Sequence, residues 1–147
     1  MREVDVAVIT DNIKEMCIEA NHYLTDDMKK VFNEAVDTEE SPLGKQVLNQ
    51  LKENLEIAGN DMIPICQDTG MAVVFINVGQ DVHLTGGDIT DAINEGVRRG
   101  YVDGYLRKSV VADPIYRENT KDNTPAVIHY AIVPGDKVEI TVAPKGF

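Results

Sequence analysis

The chain has 147 residues, and 43% of them are hydrophobic, so it can bury a core without disulfide or metal cross-links. Its 25 acidic and 14 basic residues give a net charge of −11, a field that repels polyanions such as DNA and RNA. The apolar runs are far shorter than the roughly 20 residues of a membrane span, and no secretory signal precedes them, so we expect a cytoplasmic protein.

The first 60 residues are predicted to form three helices. Apolar residues between Val6 and Leu24 recur every three or four positions and form one stripe. A second helix is expected from its N-cap Thr25 to about Val36, with acidic residues in its first turn. A third helix begins at Ser41-Pro42, and the glycine of Gly59-Asn60 predicts its end.

The chain after residue 60 has the pattern of a small sheet with one inserted helix. Residues 71–78 are rich in Val, Ile and Phe and predict a buried strand that ends at Gly79. The loop Thr85-Gly86-Gly87-Asp88 leads into an amphipathic helix that is expected to run to about Val102.

Two further strands are predicted at 126–133 and 137–143. Both alternate in polarity, and Pro134-Gly135-Asp136 joins them, which predicts an antiparallel hairpin with one polar face. We therefore predict a single α+β domain over 1–147, with a helical region at 1–60. A mixed β-α-β region with a largely antiparallel sheet is expected at 61–147.

The segment Ile63-Pro64-Ile65-Cys66-Gln67-Asp68-Thr69-Gly70 places a thiol, an amide, a carboxylate and a hydroxyl on consecutive residues. Such a polar group is costly to bury without partners, which suggests that it lines a cavity or binds a ligand. The alternative is a turn at the start of a strand, with a buried cysteine and an aspartate that caps nearby amides. Composition alone favours this turn slightly.

Motifs in a fixed order favour the ligand-binding interpretation. Cys-Gln-Asp-Thr-Gly after Ile-Pro-Ile resembles the cluster-ligand motif of class I fumarate hydratases and of the alpha subunits of L-tartrate dehydratases. The resemblance extends from about Val4 to the end of the chain. The further motifs, in the order of that family, are Thr85-Gly86-Gly87-Asp88, Leu106-Arg107-Lys108-Ser109, Asn119-Thr120, Asn123-Thr124-Pro125-Ala126 and Lys145-Gly146.

The resemblance implies a hydro-lyase with a 4Fe–4S cluster held by three cysteines. The open iron would act as a Lewis acid on malate or a similar 2-hydroxy diacid. By resemblance, Cys66 is the first cluster ligand, and Gln67 and Asp68 contact the substrate. Asp68 would also handle the proton of the departing hydroxyl. Arg107 would bind a substrate carboxylate, for which a guanidinium fork is suited.

Other candidate residues have a structural interpretation. Without the resemblance, Arg107 is interpreted as a surface arginine at the end of a helix, where a positive charge is favourable. Arg99 and Lys108 are expected to be surface residues. Cys17 lies on the apolar stripe of the first helix and is expected to be a small buried hydrophobe. Gly86-Gly87 could bind an anion through backbone N–H groups, or it could be a plain turn.

The chain holds only two cysteines, too few for a cluster. Lys145-Gly146-Phe147 resembles the start of a longer family loop, and the other ligands are expected beyond it. We therefore expect this chain alone to bind no cluster and to be inactive. The expected partners are the remaining part of the alpha subunit, a beta subunit or C-terminal domain, a small dicarboxylate and, in a homo-oligomer, further copies of the chain.

Fumarate and malate are the first expected substrates, with tartrate and oxaloacetate next. A non-catalytic domain that binds a dicarboxylate or serves assembly is the alternative from another functional class. A thiol enzyme with Cys66 as nucleophile is a weaker alternative, because His83 and His129 are distant from it in sequence and such chemistry requires a nearby base.

Overall fold

A computed structural model describes residues 1–68 and 70–146 and divides the chain into two compact units. The first unit comprises Met1–Ala20 and the chain from Gln67 onward, and the second comprises Asn21–Cys66. None of the described helices is both long enough and apolar enough to cross a membrane. In chain order, the elements are β1 (Arg2–Asp5), α1 (Val6–His22), α2 (Asp26–Thr38), α3 (Pro42–Asp61), β2 (Gly70–Gly79), β3 (Val82–Thr85), α4 (Ile89–Asp103), β4 (Val127–Val133) and β5 (Val138–Gly146).

This element order confirms the α+β class, with long N-terminal helices and one helix inserted among the strands. The prediction that 1–147 form a single domain stays a prediction. Helix α1 begins at Val6, as its apolar stripe indicates, and Asp5 Oδ1 accepts the backbone N–H of Ala7 at 2.8 Å in the first turn. Such a bond satisfies one of the N–H groups that a helix start leaves without a partner.

The predicted end of the third helix is wrong. Gly59 and Asn60 remain helical, and Met62, in the left-handed region at φ 52°, ends α3 instead. Gly59 has a packing role, because a Cβ there would lie 3.0 Å from the ring of Tyr23. The Tyr23 hydroxyl also donates to the Gly59 carbonyl at 3.1 Å, so the glycine permits close contact with this ring.

The predicted β4–β5 hairpin is also wrong. The sheet has the order β4-β2-β5, with β2 parallel to β4 and antiparallel to β5, so it is mixed rather than largely antiparallel. At the end of β2, the Gly79 N–H donates to Lys137 O at 2.7 Å and the Gln80 N–H donates to Val133 O at 2.8 Å. A Cβ at Gly79 would collide with the Gly135 carbonyl. The glycine thus lets the β4–β5 connection pass across the end of β2.

A second sheet pairs β1 with β3 in parallel, and Arg2 lies opposite Val82. Neither strand was predicted, because each has only four residues and β1 carries the mostly polar sequence Arg-Glu-Val-Asp. So short a segment is too brief to show a reliable alternation of polarity.

The core of the first unit lies between the helices and one face of β2. Alternate residues of this strand are buried with the apolar sides of α1 and α4. The two helices approach closely at small residues: a Cβ at Gly96 would lie 2.7 Å from Thr10 O and 2.9 Å from Ile13 Cβ. The main members of this core are Ile9, Ile13, Cys17, Ala72, Val74, Ile76, Ile93, Val97, Tyr101 and Leu106.

The close approach at Gly96 predicts that Gly96→Ala destabilises the chain. Overpacking of this kind costs about 1–3 kcal/mol, and the better helix propensity of alanine offsets about 1 kcal/mol. We therefore expect the free energy of unfolding in urea to fall by up to about 2 kcal/mol. Gly44→Ala is the control, because its Cβ would meet only the flexible side chain of Glu39. Equal effects of the two substitutions would contradict the packing explanation.

Candidate functional site

The segment from Cys66 to Gly70 connects the second unit to β2. Cys66, Gln67 and Asp68 are exposed, and Thr69 lies outside the described residues. The buried cysteine of the strand-entry-turn alternative is therefore wrong, whereas the segment does lie directly before a strand. Because the three side chains are exposed, they are accessible to a ligand without the desolvation cost of burial.

Gln67 and Arg107 form a hydrogen-bonded pair although 40 residues separate them. Gln67 Oε1 accepts the backbone N–H of Arg107 at 2.8 Å, and Arg107 Nη1 donates to the Gln67 carbonyl at 2.7 Å. Gln67 Nε2 also donates to the Tyr105 carbonyl at 3.4 Å. Two residues for which the resemblance implies contact with the substrate are thus adjacent, and one of the bonds between them has a charged donor.

Arg107 keeps hydrogen-bonding capacity in this arrangement. Its side chain is exposed, and among the described residues no group accepts from its Nε or Nη2. A guanidinium carries five N–H donors in a planar fork, so one bond to the Gln67 carbonyl leaves others for a carboxylate.

Asp68 lies against the end of β5. Gly70 pairs with Gly146 across the β2–β5 ladder, and a Cβ at Gly146 would lie 2.7 Å from Asp68 Oδ2. A Cβ at Gly70 would likewise collide with the carbonyl of Lys145. Two motifs from distant parts of the sequence, Cys-Gln-Asp-Thr-Gly and Lys-Gly, therefore meet through close glycine contacts. Phe147, which follows the second motif, lies outside the described residues.

The chain that follows Arg107 is held by two asparagines. Asn123 is fully buried at φ 62°, and its Oδ1 accepts the backbone N–H groups of Ser109 at 2.7 Å and Val110 at 3.1 Å. Asn119 Nδ2 donates to the Lys108 carbonyl at 3.0 Å. The family motifs contain both asparagines, but their sequence positions suggested no role. For Asn123, the residue type could have indicated a structural role, because asparagine tolerates the left-handed backbone region better than most residues.

Three other basic residues near Arg107 in sequence make local contacts. Arg98 and Arg99 both bind Glu95, with distances of 2.6 and 2.7 Å, and Arg99 also approaches Asp11. Hydrogen bonds from the two arginines lower the pKa of Glu95 to about 2. Lys108 Nζ donates to the Leu106 carbonyl at 3.1 Å. These contacts support the surface interpretation of Arg99 and Lys108.

Two further candidates have structural surroundings. Burial raises the pKa of the Cys17 thiol to about 12, which makes it a poor metal ligand or nucleophile, as expected of a core cysteine. At the Gly86-Gly87 turn, a Cβ on Gly86 would lie 2.5 Å from Asp5 Oδ1, and Asp88 caps α4 through the N–H groups of its first turn. These carboxylates would repel a dicarboxylate, so the geometry favours the plain turn.

The two histidines considered as possible bases, His83 and His129, lie in strands of the two sheets. His129 stacks on Phe75 with ring centroids 4.9 Å apart, and His83 lies in β3 opposite Glu3. Within the described residues, no group of three or more His, Cys, Asp and Glu side chains is arranged to hold a metal ion. The chemical groups that the first unit brings together are thus an exposed carboxylate, an amide and a guanidinium, and the exposed thiol of Cys66 directly precedes them in sequence.

Comparison with known proteins relates this chain to one family. The profile of the family described as fumarate hydratase (fumerase) matches residues 10–147. The putative L(+)-tartrate dehydratase subunit alpha of Methanocaldococcus jannaschii is 34% identical over 144 residues, which cover 94% of this chain and 50% of the relative.

Two relatives from Escherichia coli are similar over shorter lengths. The anaerobic class I fumarate hydratase is 38% identical over 112 residues, which cover 75% of this chain and 20% of that enzyme. The L(+)-tartrate dehydratase subunit alpha is 31% identical over 128 residues, with 84% of this chain and 41% of the subunit covered. The chain thus spans half or less of the length of these relatives.

The buried asparagine predicts a local loss of order when its side chain is removed. Asn123→Gly keeps the left-handed backbone but leaves the N–H groups of Ser109 and Val110 without an acceptor, which should cost about 2–3 kcal/mol. Amide hydrogen exchange at these two residues should accelerate at least about tenfold. Asn119→Ala is the control, because water can replace the bonds of an exposed asparagine. Unchanged exchange in Asn123→Gly would contradict the positioning role.

Proposed function

The chain belongs to the family of class I fumarate hydratases and L-tartrate dehydratase alpha subunits, and we propose that it forms part of the active site of a hydro-lyase. The enzyme would add water to, or remove it from, a small dicarboxylic 2-hydroxy acid. The bonding of Gln67 to Arg107, beside Asp68, carries this proposal. It assembles, from distant motifs, groups that can bind a carboxylate and transfer a proton.

The residues present fit one corner of an iron–sulfur cluster. Cys66 is an exposed thiol directly before Gln67, whereas Cys17 is buried and has a raised pKa. A 4Fe–4S cluster is held by several thiolates, so we propose that Cys66 is one of three ligands and that the rest of the enzyme contributes the others. When bound, the cluster would supply a Lewis acid for the oxygen atoms of the substrate.

We assign carboxylate binding to Arg107. Its free guanidinium N–H groups can form a two-pronged contact with a substrate carboxylate, which a lysine cannot reproduce. The bond from its Nη1 to the Gln67 carbonyl sets the direction of the fork. The side chain of Gln67 bonds to the backbone at Tyr105 and Arg107. We therefore propose that Gln67 assists substrate binding by fixing the orientation of the Arg107 guanidinium.

We assign proton transfer at the departing hydroxyl to Asp68. Elimination of water needs an acid at the leaving oxygen and a base at the C–H bond. Asp68 is the exposed carboxyl group between Gln67 and β2, and its position against Gly146 restricts where its carboxylate can lie. The base for the C–H proton would come from the rest of the enzyme.

The relatives suggest the partners and substrates. Two of them are alpha subunits of L(+)-tartrate dehydratases, which suggests a beta subunit as partner, and another is a class I fumarate hydratase. We propose fumarate and malate as the first substrates, with tartrate and oxaloacetate next. We also propose that the enzyme is cytoplasmic and forms a homo-oligomer.

The cysteine content predicts that this 147-residue chain cannot retain a cluster alone. After anaerobic treatment with iron and sulfide, followed by desalting, we expect no stoichiometric iron and no stable visible absorbance, because one exposed thiolate cannot hold the cube. The complete enzyme, treated in parallel, is the control. A stable cluster on the chain alone would contradict the assignment of further ligands to the rest of the enzyme.

Substitutions in the complete enzyme should separate the proposed roles. We expect Asp68→Asn to lower kcat at least about 100-fold with little change in KM, because it removes the proton carrier. Arg107→Lys should raise KM for the diacid roughly tenfold or more, because the fork is lost. Arg117→Lys, an exposed arginine of the same loop region, is the matched control.

Cys66→Ser completes this series with a readout besides turnover. Iron content and cluster absorbance should fall together with activity, whereas Asp68→Asn should retain the cluster. A complete enzyme that binds dicarboxylates but turns over neither fumarate, malate nor tartrate would support the alternative of a binding domain. Full activity of Cys66→Ser would refute the ligand assignment.

A further inference from the structure

The sheet β4-β2-β5 has one face on the core and an opposite face, here called the outer face. On β2 the outer face consists of Met71, Val73, Phe75 and Asn77, and Val127 and His129 lie beside Val73 and Phe75 on β4. A strand with apolar residues on both sides is typical of sheets that are covered on both faces. The core cluster, to which α1 and α4 contribute, contains the opposite residues of β2 but none of the three apolar residues Met71, Val73 and Phe75.

The half of the outer face nearer the start of β2 is mostly apolar and open. Phe75 is 46% exposed and stacks on His129, and Val127 is 38% exposed. An open depression of about 710 Å³ lies along these residues and continues onto Ala143 and Pro144 of β5. A contiguous apolar surface of this kind, in the middle of a sheet, marks a contact with another polypeptide segment.

The depression also reaches the candidate site. Its lining includes Lys145 and Gly146, and Gly146 is the residue against which the Asp68 carboxylate lies. A segment that covers the outer face would therefore extend to the start of β2. The location suggests that assembly on this face and completion of the site occur together.

We propose that the outer face is the docking surface for the polypeptide that supplies the remaining cluster ligands, an inference that rests on the proposed hydro-lyase function. Under that proposed function, Cys66 is one of three cluster ligands and the rest of the enzyme contributes the others. The Methanocaldococcus jannaschii and Escherichia coli relatives each contain at least as much polypeptide outside the matched region as within it.

A second copy of this chain is the less suitable occupant. A second copy would add only one more exposed cysteine, its own Cys66, because Cys17 is buried. Two exposed thiols would still fall short of the three ligands of the proposed cluster.

Side-chain footprinting with a photoactivated diazirine tests this inference directly. The 147-residue chain and the complete enzyme are labelled under the same conditions, and modification of Met71 and Phe75 is measured by mass spectrometry. We expect at least fivefold less labelling of both residues in the complete enzyme. The fully accessible Met1, which is 96% exposed, serves to normalise the labelling.

Equal labelling of Met71 and Phe75 in the two samples would overturn the inference. Protection that already occurs in the chain alone and grows with its concentration would overturn it in favour of a second copy. The readout does not depend on turnover. Protection without any hydratase or dehydratase activity would therefore refute the proposed function, whereas activity without protection would refute only the docking surface.

A pair of substitutions provides an independent check. Phe75→Glu places a charge on the outer face, and Ile132→Glu places one on the same sheet at a residue that is 73% exposed and whose β2 partner, Val78, faces the core. When each variant chain is mixed with the rest of the enzyme, Phe75→Glu should weaken assembly at least tenfold and Ile132→Glu should not. Circular dichroism of each chain alone verifies folding, and equal assembly of both variants would contradict the inference.

Discussion

The candidate site depends on the hydrogen bonds between Gln67 and Arg107. They join the residues before β2 to the residues after α4, and they direct a guanidinium to the segment that contains Asp68. Without them, the arginine would be one of several exposed basic side chains on an acidic surface. Since a charge-assisted bond at 2.7 Å restricts a long side chain, the pair supplies orientation as well as charge.

Both partners of this pair are supported by backbone interactions. The segment of Gln67 and Asp68 leads into β2, whose first residue, Gly70, closely approaches β5. The segment of Arg107 leads into a loop whose N–H groups bind the buried side chain of Asn123. The core under β2 is therefore relevant to function, because its packing determines where the two segments meet.

Much of the fold could be predicted from local patterns. Apolar periodicity located α1 and α4, and the apolar run located β2, because these signals depend only on residues close in sequence. Strand pairing could not be predicted in this way. Alternating polarity and a Pro-Gly turn suggested that β4 and β5 are neighbours, but β2 lies between them. Neither alternation nor a turn residue encodes which strand provides the hydrogen-bonding partner.

For the site, the sequence alone determined which chemical groups are present: a thiol, an amide and a carboxylate on Cys66, Gln67 and Asp68, and a guanidinium on Arg107. The order of the motifs also determined which family the chain resembles. Only the tertiary structure decided that Gln67 bonds to Arg107, that Asn123 holds the loop, and that an apolar sheet face borders the site. The physical reason is that hydrogen bonds and burial depend on distances in space, and residues 40 positions apart acquire such a distance only when the chain folds.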